Sequence, residues 1–91
     1  MTRVVVSSHA RFEMERRQIL EEAVCQVALA PQQVVSSAKR RAIHQSRVDD
    51  AASGRKMLLR VVVEQRQDAV FVVTAYRTSK IEKYWQPEVQ P

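Results

Sequence analysis

The sequence predicts an α+β fold in which two helices precede a twisted antiparallel sheet of about four strands. Residues 20–28 carry apolar side chains at helical spacing. Two valine-rich runs, 57–65 and 69–76, alternate in the manner of strands. The length of 91 residues suits one domain. Because the helices come first, they are expected to form a hairpin on one face of the sheet and to leave the other face open to water.

The two helices are predicted from their caps and their apolar positions. Residues 3–6 form either a short strand or a lead-in, and Ser7 and Ser8 offer a cap for a helix from His9 to Arg17. The second helix has the clearest pattern, and Pro31 ends it because proline cannot continue the hydrogen-bond ladder. Its core-facing stripe comprises Leu20, Ala23, Val24, Val27 and Ala28.

From residue 33 onward the pattern is that of β structure. Val34 lies in a first strand, residues 40–48 form a second, and residues 49–55 form a loop that contains the only glycine, Gly54. The two valine-rich strands follow, joined by a turn at 66–68. Residues 1–77 are therefore expected to form the domain. Residues 78–91 are expected to form a tail, with a short helix and then a loose end.

Alternation along the last two strands assigns their side chains to two faces. The face expected under the helices carries Leu59, Val61, Val63, Phe71, Val73 and Ala75. The turn at 66–68 predicts a register that pairs Gln65 with Ala69, Arg60 with Thr74 and Leu58 with Tyr76. The open face then presents an arginine and two hydroxyls, which suit a phosphodiester. Thr and Tyr are equally ordinary sheet residues that stabilise cross-strand pairs, so both interpretations stand.

The positive charge of the chain is concentrated in one segment. The formal net charge is +5, and residues 36–60 carry all of it, because the rest of the chain has as many acids as bases. This segment has two acids, Asp49 and Asp50, and these bases: Lys39, Arg40, Arg41, Arg47, Arg55, Lys56 and Arg60. One interpretation is a solvated face, and the other is a patch that follows a phosphate backbone.

The sequence argues against several classes of protein. No apolar run approaches the roughly 20 residues of a membrane span, and the start of the chain does not resemble a secretory signal. A single cysteine, Cys25, cannot form an internal disulfide. We therefore expect a cytoplasmic protein with no metal and no cofactor.

The two histidines are the side chains that normally titrate near neutral pH. His9 lies at the start of the predicted first helix, where a neutral imidazole able to act as a base is as plausible as a purely structural role. His44 lies on a strand on the face of Ala42 and Ser46, and is expected to be an exposed or half-buried strand residue.

Two strings of residues resemble a known family. The first is Ser8-His9-Ala10-Arg11-Phe12 with Met14, Arg16, Arg17, residues 19–24 and Ala30-Pro31; the second is Leu59-Arg60-Val61-Val62-Val63 with Val72-Val73-Thr74-Ala75-Tyr76-Arg77. On these the chain resembles the domain of unknown function DUF4258 over about residues 5–77, and that family is similar in fold to the RelE/ParE toxin superfamily. The chain departs from the family pattern at Gln18, where the family has glycine, and at Leu20, where it has a capping residue.

RelE-type members of that superfamily cleave messenger RNA on the ribosome without a metal, whereas ParE-type members inhibit gyrase, so the shared fold leaves the activity open. For this chain the resemblance implies a metal-independent protein that binds RNA or the ribosome, with RNA cleavage as the expected reaction. The residues implied for catalysis are His9, Arg17, Arg60, Thr74 and Tyr76, and those expected to bind nucleic acid are Lys39, Arg40, Arg41, Arg47, Arg55, Lys56 and Arg77. His9 or Tyr76 would move a proton, and Arg60 or Arg41 would stabilise the charge that develops on the phosphate. The alternative is a non-catalytic interaction module that binds an antitoxin-like partner or a second copy of itself, with Tyr84 and Trp85 as interface residues.

Overall fold

The computed structural model describes residues 2–50 and 53–87. Over these residues the chain forms five strands and three helices, which confirms the α+β class. In chain order they are β1 (Arg3–Val6), α1 (Ser8–Arg16), α2 (Glu21–Leu29), β2 (Gln33–Ser36), β3 (Arg41–Asp49), β4 (Lys56–Arg66), β5 (Ala69–Thr78) and α3 (Ile81–Tyr84). None of these helices is long and apolar enough to cross a membrane.

The sheet is mixed and has one strand more than the sequence predicts. Its strand order is β1-β5-β4-β3-β2, with β2 to β5 antiparallel and β1 parallel to β5. The expectation of about four antiparallel strands is therefore wrong at this edge, where residues 3–6 prove to be a strand. Pairing with β1 satisfies backbone groups that β5 would otherwise leave unpaired between Ala69 and Val72.

The main core lies between the two long helices and one face of the sheet. α1 lies against β5, and α2 crosses β3, β4 and β5. Val24, Val27 and Ala28 are buried on α2, as its stripe predicts, whereas Leu20 is 75% exposed. The core cluster comprises Ala10, Met14, Ile19, Val24, Val27, Ala28, Leu59, Val61, Val63, Val70, Val72 and Ala75.

The turn between α1 and α2 has the geometry of a Schellman motif without its usual glycine. The Gln18 N–H donates to the Glu15 carbonyl at 3.2 Å, and the Ile19 N–H donates to the Met14 carbonyl at 2.8 Å. Gln18 has φ +56°, in the left-handed region that favours glycine. Leu20 stands at the N-cap of α2 and makes no side-chain cap hydrogen bond, whereas the Ser7 hydroxyl caps α1 by accepting from the Ala10 N–H at 3.0 Å.

The predicted register between the last two strands is wrong. Arg66 pairs with Ala69, so the turn has only two residues between the strands, and one of them, Gln67, has φ +51°. This one-residue slip places Val70 and Val72 in the core in place of Phe71 and Val73. An irregularity between Val62 and Val63 then adds a residue to β5, which restores the predicted face for Ala75, Thr74 and Tyr76. Arg60 consequently lies opposite Tyr76, and Val62 opposite Thr74.

The face of the sheet away from α1 and α2, called the outer face below, is only partly open. Residues 79–87, called the C-terminal segment, return across it. The Tyr84 ring stacks on the Arg60 guanidinium at 4.3 Å, and the Trp85 ring stacks on that of Arg47 at 4.3 Å. Leu58, on the same face, is fully buried. The expectation of a fully exposed face is therefore wrong for this half of the sheet, and the end of the tail, 88–91, lies outside the described residues.

Candidate functional site

A row of polar side chains crosses four strands of the outer face. Gln33, Gln45, Arg60 and Tyr76 are successive cross-strand partners from β2 to β5. The Arg60 Nε donates to the Gln45 Oε1 at 2.9 Å, and its Nη1 donates to the Tyr76 hydroxyl at 2.7 Å. The Gln45 Nε2 donates to the Gln33 Oε1 at 2.7 Å. These four residues, called the polar row below, form a continuous chain of hydrogen bonds.

Arg60 is the buried cation of the polar row, with only 6% of its surface exposed. Among the described residues, no carboxylate forms an ion pair with it. Its charge is instead accommodated by two hydrogen bonds and by the faces of Tyr84 and Tyr76, whose ring centroids lie 4.3 and 5.7 Å from the guanidinium carbon. Arg60 is therefore held by neutral partners on every side that the structure describes.

Tyr76 opens onto a surface cleft of about 460 Å³ that it lines with Arg17 and Arg77. The cleft lies beside the part of β5 that extends beyond its pairing with β1, which ends at Val72. The Tyr76 oxygen accepts from Arg60, so its own proton is left for a further acceptor, and no acceptor for it lies among the described residues. The hydroxyl can thus donate to a ligand in the cleft.

Arg17 and Arg77 are held at the cleft by backbone carbonyls. The Arg17 Nη1 donates to the Ala75 carbonyl at 2.8 Å and makes a longer contact, 3.5 Å, with the Thr74 hydroxyl. The Arg77 Nη1 donates to the Gln18 carbonyl at 3.1 Å, on the turn between α1 and α2. Each guanidinium keeps further donors, so the cleft suits an anion.

Each cleft arginine also has an acidic partner, and for Arg77 it is Asp50, whose Oδ1 lies 3.8 Å from the Arg77 Nε. The partner of Arg17 is Glu13, which the sequence analysis did not select. Its Oε1 lies 3.4 Å from the Arg17 Nη2. A hydrogen bond from Arg16, with the further charges of Arg17 and His9, holds the pKa of the Glu13 carboxyl below its usual range. The carboxylate therefore stays ionised near neutral pH and keeps Arg17 in place.

The structure brings together four of the five residues implied for catalysis and separates the fifth. Arg17 contacts Thr74, and Arg60 contacts Tyr76. The two pairs meet at the cleft, because Arg17 and Tyr76 both line it. His9 lies at the other end of α1, eight residues from Arg17, which corresponds to about 12 Å along a helix axis. His9 is exposed, and within the described part of the chain it makes no side-chain hydrogen bond. It therefore does not share the cleft.

The basic residues of segment 36–60 do not lie on one surface. Lys39, Arg40 and Arg41 surround the β2–β3 turn beside Glu64. Lys56 forms an ion pair with Asp49 at 2.8 Å, at the opposite end of β3 and about 26 Å away for eight strand residues. Arg47 lies against Trp85 and Arg60 is buried, while Arg55 is exposed in the loop. The basic residues that are close together in the sequence are therefore far apart in the structure.

Gln33, Gln45 and Tyr84 also belong to the site, although sequence reasoning missed them. Gln45 is fully buried, and its amide contacts Gln33, Arg60 and the Tyr84 carbonyl. The only sequence signal was its alternation with Ile43 and Arg47 on a strand, which does not reveal a buried amide.

His44 contacts the backbone of α2. Its Nδ1 lies 2.9 Å from the Ala28 carbonyl, so the ring links β3 to the end of α2. Within residues 2–50 and 53–87, no three His, Cys, Asp or Glu side chains are grouped so that they could hold a metal ion.

The fold and the cleft define a small α+β domain that carries a tyrosine and arginines at the edge of a mixed sheet. The family model of the domain of unknown function DUF4258 matches residues 6–77. The chain therefore belongs to that family. Comparison with curated proteins finds no match, and comparison with solved structures finds none either.

Proposed function

We propose that this protein is a RelE/ParE-like cytoplasmic RNA-binding domain that cleaves RNA without a metal ion. The observation that carries the proposal is the hydrogen bond from Arg60 to the Tyr76 hydroxyl, at 2.7 Å, beside an open cleft lined by two further arginines. RNA presents phosphate at every nucleotide, and guanidinium groups bind phosphate oxygens in pairs of hydrogen bonds. The ribosome is one source of such RNA.

The cleft has groups suited to cleavage through the neighbouring ribose hydroxyl. The 2′ oxygen attacks phosphorus, the bond to the 5′ oxygen breaks, and the products are a 2′,3′-cyclic phosphate and a 5′ hydroxyl. Tyr76 donates its proton to the departing 5′ oxygen, and water accepts the 2′ proton and later restores that of Tyr76. Arg17 and Arg77 stabilise the charge that develops on the phosphate, while Arg60 stabilises the tyrosine oxygen.

The structure favours Tyr76 over His9 as the group that moves a proton. His9 is about 12 Å from Arg17 along α1, whereas Tyr76 lines the same cleft as Arg17. Arg41 is similarly remote, because it precedes Gln45 by four strand residues, or about 13 Å. Arg17 and Arg77 replace it as the cations for the phosphate.

The test is cleavage of a single-stranded oligoribonucleotide by purified protein in excess EDTA. Removal of a general acid costs about 10²- to 10⁴-fold in rate, so Tyr76→Phe is expected to lose activity on that scale. Tyr84→Phe, which changes the only other tyrosine, is the matched control and should remain active, as should His9→Ala.

Circular dichroism would establish that each variant is folded. A wild-type protein that leaves the RNA intact in both the presence and absence of EDTA would refute cleavage. Equal activity of Tyr76→Phe and wild type would refute the role of the hydroxyl.

A second candidate function is supported by the uncovered half of the outer face. Its apolar residues are each half-buried, and the bases of the β2–β3 turn lie at its margin. These residues are Val5, Val35, Ile43, Val62, Phe71 and Val73. A half-exposed apolar strip beside Lys39, Arg40 and Arg41 suits an acidic amphipathic segment of an antitoxin-like partner.

Val35→Glu tests this second function. It should abolish binding of an acidic amphipathic peptide and leave RNA cleavage unchanged, because Val35 lies on β2, three strands away from β5 and the cleft. Sedimentation velocity of the protein alone would detect a dimer, and a dimer broken by Val35→Glu would assign the strip to self-association instead.

A further inference from the structure

The polar row connects the C-terminal segment to the Tyr76 hydroxyl. The Gln86 N–H donates to the Gln33 Oε1 at 3.0 Å, and the Gln33 Nε2 donates to the Gln86 carbonyl at 2.7 Å. From there the hydrogen bonds pass through Gln45 and Arg60 to Tyr76. Because arginine has only donors, Arg60 sets the direction of every bond in the row. The orientation of each amide follows from this.

Gln45 is the residue on which the orientation of Arg60 depends. It is fully buried, and both ends of its amide are engaged: the oxygen accepts from Arg60, and the nitrogen donates to Gln33 and, at 3.2 Å, to the Tyr84 carbonyl. A reversed amide would turn its nitrogen toward the Arg60 Nε, placing two donors against each other. The surroundings therefore permit one orientation.

We propose that Gln45 is a positioning residue, which holds Arg60 on the Tyr76 hydroxyl and thereby directs the phenolic proton at a phosphate oxygen in the cleft. The C-terminal segment anchors the other end of the row through the Tyr84 carbonyl and Gln33. The phosphate ligand rests on the proposed function, with single-stranded RNA as its source. The effect of Gln45 on Tyr76 does not rest on that function and is measured separately.

The test uses the two tyrosines of the chain. The Tyr84 hydroxyl makes no hydrogen bond to the described residues, and the ring and carbonyl are what contact the row, so Tyr84→Phe preserves those contacts. In that background, full-length protein labelled with ¹³C at the tyrosine Cζ gives one resonance, from Tyr76. This resonance reports the hydrogen bonding of the phenolic oxygen without any RNA.

Gln45→Met, of similar size, removes the amide and is expected to shift the Tyr76 resonance. It should also weaken binding of a labelled 12-nucleotide uridine oligonucleotide about tenfold, as expected for loss of one charge-assisted hydrogen bond. Gln33→Met should change both in the same direction and to a smaller extent. Gln65→Met, at an exposed position of β4, is the control and should change neither.

An unmoved resonance in folded Gln45→Met would overturn the positioning role. So would unchanged oligonucleotide affinity in a variant whose resonance has moved. A wild-type protein that does not bind the oligonucleotide would refute the proposed function and the phosphate ligand, whereas a shifted resonance in the same protein would still support the link from Gln45 to Tyr76. If Gln45→Met does not fold, the less buried Gln33→Met decides by the same two measurements.

Discussion

Replacing Gln18 by glycine is expected to stabilise the protein. Gln18 is the residue that follows the C-cap of α1, and its φ of +56° places its Cβ in an unfavourable contact with the backbone. Its side chain is exposed, and its polar contacts come from the backbone: the N–H donates to Glu15, and the carbonyl accepts from Arg77. Gln18→Gly therefore removes the strain and keeps both hydrogen bonds.

The magnitude follows from two opposing effects. A non-glycine residue in the left-handed region costs about 1–2 kcal/mol. Glycine also gains freedom in the unfolded chain, which offsets about 0.5–1 kcal/mol of that relief. The net gain in unfolding free energy is about 0.5–1 kcal/mol, which corresponds to an increase in Tm of roughly 2–8 °C for a domain of this size.

Thermal unfolding followed by circular dichroism, together with urea unfolding at 25 °C, measures the change. Gln18→Ala is the matched control, because it removes the same side chain but retains Cβ, and it should not show the gain. Equal stability of the glycine and alanine variants would refute the explanation. A glycine variant that is less stable than wild type would show that the Gln18 side chain contributes more than its contacts indicate.

Three further predictions concern the helix cap, the acid range and the C-terminal segment. Leu20→Asp should raise the unfolding free energy, measured by urea unfolding, by about 1 kcal/mol. The reason is that Leu20 stands at the N-cap of α2 without a side-chain hydrogen bond and is 75% exposed. A Leu20→Asp variant no more stable than Leu20→Ala would contradict this. Because the pKa of Glu13 is lowered in the folded state, its contribution to stability is present above the ordinary carboxylate range and is lost as pH falls through the folded pKa. Glu13→Gln should therefore reduce the decline in Tm between about pH 6 and pH 3, where carboxylates titrate. Identical pH profiles for wild type and Glu13→Gln would refute the linkage. Arg47→Ala should shift the fluorescence of Trp85, the only tryptophan, to longer wavelength. The reason is that the stack of Trp85 on Arg47 contributes about 0.5–1 kcal/mol to holding the C-terminal segment on the sheet. Arg55→Ala is the control, and an Arg47→Ala spectrum equal to that of the control would show that the stack does not hold Trp85.

Much of the fold could be predicted from local patterns. The stripe on α2 identified Val24, Val27 and Ala28, because helical spacing fixes which residues share a face. The alternation on β4 identified Leu59, Val61 and Val63 for the same kind of reason. The faces of β5 could not be predicted beyond its turn, since a two-residue turn and an irregularity between Val62 and Val63 both change the alternation.

The candidate site was predictable in its residue types and not in its assembly. Arg60, Thr74 and Tyr76 were selected from one strand pair, and that pair does place them on one face. Arg17 reaches the same place because α1 runs along β5, which no local pattern shows. His9 was equally plausible in the sequence, and only the length of α1 separates it from the cleft.

By itself, the sequence determined the α+β class, the core-facing stripe of α2 and the membership of residues 6–77 in DUF4258. Each of these depends on residues close together in the chain. Only the tertiary structure decided that β1 pairs with β5, that the C-terminal segment covers Arg60, and that the charge of segment 36–60 is divided between two ends of the sheet. These features depend on which distant segments meet, and that is set by burial and hydrogen bonding across the whole domain rather than by any local spacing.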